Sequence, residues 1–238
     1  MQYAYRITIL LLFFVVACTG KKKETSKEES VEHAIEDTAL IKQEIEETVT
    51  EEADKGPIMS KETAIPFLQQ FEKENKERVV RVTTEFGSFE ITLNKDTPYH
   101  RANMIFLAKQ QYYNDTQFHR VAKGFVIQGG SSDNPKIGRK RRDIGRYLLP
   151  PEFRPNHKHR RGAVSMPSSE NDNPHKLSSP YEFFIVQAAK GSPHLDGSHT
   201  VFGYVTKGMH VVDKIAEQPV DKQEWPLNNI LMQVDVVR

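Results

Sequence analysis

Cysteine is almost absent from this chain: its 238 residues include only one, Cys18. A single cysteine excludes an intramolecular disulfide framework. The nine histidines offer no zinc-ligand spacing, since His157 and His159 are only two apart and the others are scattered. We therefore predict a protein without a metal site.

Long apolar runs are also lacking, except at the N-terminus. Residues 7–16 are largely apolar and follow the cationic Arg6; this stretch is too short to span a bilayer comfortably and has the length of a signal-peptide core. It leads into Val15-Val16-Ala17-Cys18, which resembles a bacterial lipobox, where small residues precede the cysteine that is lipidated. We predict a lipoprotein signal peptide over 1–17 and a lipid anchor on Cys18. The protein would then sit at the bacterial cell envelope, facing the periplasm or the outside.

Aromatic residues are missing between Thr19 and Pro66, where lysine and glutamate dominate. Residues 19–77 carry nine lysines against sixteen acids, a net charge of −7, whereas residues 78–238 carry a net charge of +7. An acidic segment with so few apolar residues cannot bury enough surface to fold alone. We predict an acidic spacer over 18–59.

The pattern changes after Ser60. Ala64, Phe67, Leu68 and Phe71 share one helical face, and Pro66 is compatible with a first turn. This predicts a short helical lead-in over 60–77, which either docks onto the following domain or simply leads into it. Residues 78–238 are long enough for one domain with a sizeable core.

Within this domain, residues 79–84, 89–93 and 230–237 read as strands. Thr97 and Pro98 favour the start of a helix, with Thr97 as its cap, and a second helix is predicted near 209–217. Many strands with only two helices favour a closed β-architecture.

The densest pattern is FHRVAKGFVIQGG, residues 118–130. Period-two spacing places Phe118, Arg120 and Gln128 on the faces of two short strands joined at Lys123-Gly124. An arginine on the same face as an aromatic residue and an amide makes an apolar pocket with a fixed cationic donor. A plain β-hairpin with a solvated arginine explains this window equally well.

This segment resembles the FHRVIxGFMIQGG pattern of the cyclophilins, the peptidyl-prolyl cis/trans isomerases. Three further segments resemble the family in the same order: GAVSM at 162–166, EFFI at 182–185 and HLDGSHTVFG at 194–203. The resemblance covers roughly residues 79–238. It implies an all-β fold with two helices, a closed eight-stranded antiparallel barrel capped by a helix at each end.

The resemblance also implies an isomerase that acts on proline-containing polypeptides without a cofactor. The implied catalytic residues are Arg120, as donor to the prolyl nitrogen, and Gln128. The implied substrate-binding residues are Phe125, Val126, Pro167, Ser168, Glu182, Phe184, His194, Leu195 and His199. Phe183, by contrast, is expected to belong to the barrel core.

Several positions depart from the family. Val126 replaces methionine, Pro167-Ser168 replaces an Ala-Asn pair, and His194 replaces tryptophan. Glu182 replaces glutamine, and it either pairs with Arg120 or contacts substrate. These departures keep open a second function, a proline-segment binding module with little catalysis.

Two segments are insertions relative to a minimal cyclophilin. The basic run at 137–143 is predicted as a solvated loop, with anionic lipid headgroups or the acidic spacer as alternative contacts. No aromatic ladder accompanies it, so nucleic acid is not an expected partner. The second insertion, residues 168–179, is expected beside the pocket.

Overall fold

The computed structural model describes residues 58–168 and 173–238. The predicted signal peptide, Cys18 and almost all of the predicted spacer lie outside these residues. In the described part of the chain, no helix combines the length and apolar character needed to cross a membrane.

The described residues form eight strands that close into an antiparallel barrel. They are β1 (Val79–Thr84), β2 (Gly87–Leu93), β3 (Thr116–Ala122), β4 (Val126–Ser131), β5 (Ala163–Ser165), β6 (Phe183–Val186), β7 (Val201–Lys207) and β8 (Leu231–Val236). Their order around the barrel is β1-β2-β7-β5-β6-β4-β3-β8. The closed eight-stranded barrel expected from the resemblance is confirmed.

Side chains fill the inside of this barrel. Phe89, Phe118 and Phe183 are all buried there, and the ring centroid of Phe118 lies 6.5 Å from that of Phe89 and 6.1 Å from that of Phe183. The expected core position of Phe183 is confirmed. Because the interior is occupied, a binding site has to be sought on the outer surface of the barrel.

Between 58 and 168 and between 173 and 238 the chain also forms four α-helices. They are α1 (Ala64–Glu74), α2 (Pro98–Lys109), α3 (Pro135–Ile144) and α4 (Met209–Ala216). The predicted domain helices correspond to α2, which packs against β7 and β8, and α4, which packs against β2, β3 and β4.

The lead-in helix α1 docks onto the domain. Leu68 is fully buried, and the rings of Phe67 and Phe71 meet Phe106 of α2 edge-on, with centroid distances of 5.0 and 5.6 Å. Of the two arrangements left open by the sequence, the structure has the docked one.

The basic run does not form a loop, and that prediction is wrong: residues 135–144 are helix α3. The Asn134 side chain caps it by accepting a hydrogen bond from the Lys136 N–H at 3.0 Å, and Pro135 occupies the first turn. Ile137 is the one buried anchor of the helix. A single buried position in ten residues gives too weak a periodic signal to distinguish a helix from a charged loop.

The end of α3 is joined to the start of the described chain. The Met59 N–H donates to Ile144 O at 2.7 Å, and the Arg146 N–H donates to Met59 O at 3.0 Å. Gly145 has φ +128°, and a Cβ there would lie 1.9 Å from Met59 O, so only glycine fits this contact. Met59, the last residue of the predicted spacer, is therefore packed with the domain.

Helix α2 begins differently from the prediction. Thr97 stands at the cap position, but its side chain makes no capping hydrogen bond. The Glu152 carboxylate takes that role: Oε1 accepts from the Tyr99 N–H at 3.2 Å and Oε2 from the His100 N–H at 2.9 Å. The helix N-terminus is thus satisfied by a residue some fifty positions further along the chain, which local sequence cannot reveal.

Candidate active site

A cleft of about 290 Å³ opens on the outside of the barrel beside β3, β4 and β6. Its lining residues are Arg120, Phe125, Val126, Gln128, Pro167, Ser168, Phe184, Leu195 and His199. Every one of them belongs to the predicted site, although they come from four separate segments of the sequence. The remaining two predicted residues, Glu182 and His194, lie beside the cleft.

A β-bulge in β3 turns Arg120 toward this cleft. Phe118 pairs with Gly129 and Arg120 pairs with Gln128, so His119 is an extra residue between the two pairs. Simple alternation predicted Phe118 and Arg120 on one face, and that prediction is wrong. Phe118 points into the barrel, whereas Arg120 lines the cleft.

Apolar side chains form the floor of the cleft. Val126 and Phe184 are nearly buried, with 2% and 5% of their surface exposed. His199 stands edge-on to Phe184, with ring centroids 5.5 Å apart and planes at 82°. Phe125 and Leu195 are partly buried and pack on the same cluster. The cleft therefore offers an apolar recess with one cationic wall.

The cationic wall is held by Glu224, a residue that the sequence analysis missed. Arg120 Nε donates to Glu224 Oε2 at 2.7 Å, and the guanidinium carbon lies 6.0 Å from the Phe125 ring centroid. A guanidinium has five N–H donors and this bond uses one of them. The pair is partly solvated, since both side chains are about 40% exposed.

Glu224 is itself fixed to β3. Its carbonyl accepts a hydrogen bond from the Val121 N–H at 2.8 Å, and its φ of +66° lies in the left-handed region that few non-glycine residues adopt. It follows Arg120 by 104 positions and belongs to no recognised motif. No signal in the single sequence links the two residues.

Glu182 does not pair with Arg120, so that alternative is wrong. Glu182 Oε2 accepts from Gln128 Nε2 at 3.0 Å, and Oε1 accepts from Arg141 Nη2 of α3 at 3.4 Å. His119 Nε2 lies 3.6 Å from the same carboxylate. Of the two implied catalytic residues, Glu182 thus binds Gln128 and not Arg120.

The rim of the cleft carries the other substituted positions. The His194 ring is exposed and stacks on Phe125, with centroids 5.6 Å apart and planes at 25°. Pro167 O accepts from the Ser179 N–H at 2.8 Å, and Ser168 forms a bridge with Ser178. Residues 169–172 of the second insertion lie outside the described residues.

Comparison with known proteins decides the family. The sequence profile described as "Cyclophilin type peptidyl-prolyl cis-trans isomerase/CLD" matches residues 79–236. The chain belongs to the cyclophilin family. The match covers the whole barrel from β1 to β8.

Three curated relatives are 37–38% identical to this chain over the aligned residues. "Peptidyl-prolyl cis-trans isomerase-like 2" of Rhizopus delemar is 38% identical over 162 residues, which are 67% of this chain but 29% of that protein. "Peptidyl-prolyl cis-trans isomerase-like 1" of Neurospora crassa is 37% identical over 67% of this chain and 94% of its own length. A Helicobacter pylori peptidyl-prolyl cis-trans isomerase is 37% identical over 57% of this chain and 78% of its own.

A solved cyclophilin gives the same result for the fold. The Cryptosporidium parvum cyclophilin-type isomerase, crystallised in the presence of the dipeptide Ala-Pro, is 28% identical and has a TM-score of 0.57. The alignment covers 68% of this chain and 99% of that protein.

The 3₁₀ helix Pro193–Leu195 of this cyclophilin is anchored beside the cleft by Asp196. Asp196 Oδ1 accepts from the backbone N–H of His159 at 3.0 Å and from its ring Nδ1 at 2.8 Å. Burial alone would raise the pKa of Asp196, but these two donors hold it below its ordinary value. Asp196 is therefore a charged anchor that positions Leu195 at the cleft.

A second, larger cavity of about 490 Å³ lies against α3. It is bordered by Arg141, Arg142 and Arg146 together with Tyr147 and Tyr181, and none of the predicted site residues lines it. Only the smaller cleft combines an apolar recess with the arginine that the family resemblance singles out. In residues 58–168 and 173–238, no three His, Cys, Asp or Glu side chains come together as metal ligands.

Proposed function

We propose that this cyclophilin catalyses cis/trans isomerisation of X–Pro bonds in exported proteins at the bacterial cell envelope. The observation that carries the proposal is the position of Arg120 beside the apolar recess formed by Phe125, Phe184 and Leu195. The Ala-Pro dipeptide used with the C. parvum relative supports proline-containing peptides as substrates.

The chemical task follows from the peptide bond. Rotation about an amide costs roughly 18–20 kcal/mol because the nitrogen shares its lone pair with the carbonyl. The two isomers of an X–Pro bond are close in energy, so uncatalysed exchange is slow for kinetic reasons alone. No bond is broken, and the enzyme has only to bind the twisted amide better than either planar form.

Arg120 suits this task because the prolyl nitrogen becomes a hydrogen-bond acceptor only when the amide is twisted. A guanidinium N–H beside that nitrogen would stabilise the twisted state selectively. A charge-assisted hydrogen bond supplies about 1.5–3 kcal/mol, which corresponds to roughly one to two orders of magnitude in rate. The recess would hold the proline ring while the preceding carbonyl rotates, and Gln128 would bind the substrate backbone.

Exchange NMR on a short Ala-Pro peptide tests the proposal, because it reports binding and interconversion together. We expect a substoichiometric amount of the protein to speed interconversion of the cis and trans peptide, which broadens the proline signals of both isomers and produces exchange between them. A folded protein that leaves the exchange rate at its uncatalysed value would contradict catalysis.

A second function, a proline-segment binding module, is favoured by two specific observations. Glu224 already occupies one donor of Arg120, and Pro167 has no N–H with which to pair a substrate backbone. In that case the Ala-Pro peptide would show chemical-shift changes on binding without faster exchange.

Phe125→Ala should weaken peptide binding by about tenfold, because a partly buried aromatic wall contributes on the order of 1–2 kcal/mol to a bound proline. The wall contacts planar and twisted forms alike, so turnover at saturating peptide should change little. Titration by NMR, followed by exchange at saturation, separates the two quantities. A fall in turnover with unchanged affinity would show that Phe125 does not line the binding recess in solution.

The place of action rests on the lipobox-like sequence at Val15–Cys18. Cys18→Ser should abolish lipidation and leave the signal segment uncleaved or wrongly processed. Labelled fatty-acid incorporation and membrane fractionation of both proteins in a bacterial host test this. A wild-type protein that takes up no fatty acid and fractionates as freely soluble would remove the envelope from the proposal.

A further inference from the structure

We propose that Arg141 and Glu182 act as a positioning pair for Gln128, holding its side-chain amide with the oxygen turned toward the cleft. The inference rests on the proposed isomerase function and adds two positioning residues to it, one of them on the inserted helix α3. Neither residue lines the cleft itself.

The orientation of Gln128 follows from the chemistry of its neighbour. Gln128 and Glu182 approach to 3.0 Å. An ionised carboxylate only accepts hydrogen bonds, so the atom of Gln128 that faces it has to be the NH₂ group. The amide oxygen of Gln128 is thereby left for the cleft, where it can accept an N–H from a substrate backbone or from Arg120. A glutamine at 182 would accept or donate and would leave both amide orientations open.

Arg141 is held in place independently of Glu182. Its Nε donates to the Tyr112 hydroxyl at 2.7 Å and its Nη2 to Gly130 O at 3.1 Å. The guanidinium carbon also lies 5.3 Å from the ring centroid of Tyr181. The cation is therefore a fixed part of the scaffold, and Glu182 is oriented against it.

Arg141 also balances the charge of Glu182. Its Nη2 lies 3.4 Å from Glu182 Oε1, and the carboxylate is 21% exposed. His119 also lies near this carboxylate, with Nε2 3.6 Å from Oε2, but burial lowers the pKa of its ring, so Arg141 is the permanent cation beside Glu182. Without Arg141, the carboxylate would lack its cationic partner and could attract the guanidinium of Arg120 away from substrate.

A double-mutant cycle tests the pair. Wild type, Arg141→Met, Glu182→Gln and the double variant are compared by exchange NMR on the Ala-Pro peptide. Arg142→Met is the matched control, because it removes the same charge from an exposed position of the same helix. We expect Arg141→Met to lower turnover by about tenfold, since it leaves the acid uncompensated. Glu182→Gln should lower turnover by about threefold, because it leaves the Gln128 amide free to turn. The double variant should match Glu182→Gln rather than Arg141→Met, because no unpaired acid remains for Arg141 to compensate.

A merely structural role gives a different pattern. If Arg141 acts only by holding α3 through Tyr112 and Gly130, the double variant will be as impaired as Arg141→Met, and the proposal is overturned. It is equally overturned if Arg141→Met matches the Arg142→Met control. Melting curves of all variants identify any loss that comes from unfolding, and the Glu182→Gln variant keeps the test usable if Arg141→Met does not fold.

A readout separate from activity comes from the side-chain NH₂ signals of Gln128, assigned by their loss in Gln128→Leu. In the wild type they should be shifted by the carboxylate hydrogen bond, and in Glu182→Gln they should move toward the position of a solvated amide. Unmoved signals would contradict the hydrogen bond in solution. A wild-type protein without isomerase activity would instead overturn the proposed function, while these signals would still decide whether the pair orients Gln128.

Discussion

Arg120→Ala should lower the turnover of the Ala-Pro peptide by roughly ten- to a hundredfold, the equivalent of a lost charge-assisted hydrogen bond in a partly desolvated cleft. Peptide affinity should stay within a few-fold of wild type, because the prolyl nitrogen accepts the bond only in the twisted state. Exchange NMR at saturating peptide gives turnover, and a titration of the same samples gives the affinity.

Arg120→Lys is the matched control. It keeps the positive charge but lacks the planar fork, so one group cannot both bind Glu224 through Nε and present further donors in a fixed direction. We expect it to recover little of the lost turnover. Unchanged exchange in a folded Arg120→Ala protein would remove the arginine from the mechanism, whereas full recovery in Arg120→Lys would show that charge alone is sufficient.

The closed barrel was predicted from the family resemblance, and most of the residues that the resemblance implied for the site line one cleft. The residues of the cleft occur in four segments of the sequence, of which residues 118–130 were predicted to form two short strands. The barrel then brings those segments together, as pairing of β4 with β6 sets Gln128 opposite Phe184.

The predictions that the structure contradicts failed for physical reasons that the local sequence pattern does not contain. The β-bulge at His119 changes the face of every residue before it, so Phe118 and Arg120 diverge although their spacing suggests one face. Glu224 reaches Arg120 only through the fold of the chain after α4. The sequence leaves Glu182 either paired with Arg120 or in contact with substrate; it gives no reason to consider Arg141, which is predicted on a loop.

Two buried clusters, each made of a serine, a histidine and an acidic residue, have the composition of a hydrolytic triad without its function. His100 Nδ1 lies 2.7 Å from Glu152 and its Nε2 lies 3.2 Å from Ser178 Oγ. His159 is placed in the same way between Asp196 and Ser165. Both serines and both histidines are almost wholly buried, so no substrate can reach the hydroxyl groups. These groups are structural, and the first of them joins helix α2 to the loop that carries Glu152.

Because of this arrangement, the loss of the Glu152 side chain should strongly lower stability. Its carboxylate is 5% exposed and accepts from two backbone N–H groups at the start of α2 and from the His100 ring. Glu152→Ala would leave all three donors without this acceptor, two of them buried and the Tyr99 N–H half-buried. We expect the free energy of unfolding to fall by about 3–5 kcal/mol, a large part of the 5–15 kcal/mol typical of a domain.

Urea unfolding followed by tryptophan fluorescence measures the loss, with Glu85→Ala as the control because Glu85 is exposed in a turn. Glu152→Gln keeps one acceptor oxygen and nearly the same volume, so it should lie between wild type and Glu152→Ala. Wild type, Glu152→Gln and Glu152→Ala together distinguish the stability supplied by the capping hydrogen bonds from that supplied by the volume of the side chain. If Glu152→Ala unfolds at the same urea concentration as Glu85→Ala, then helix α2 does not depend on this distant cap. Thr97 or water would in that case satisfy its first N–H groups.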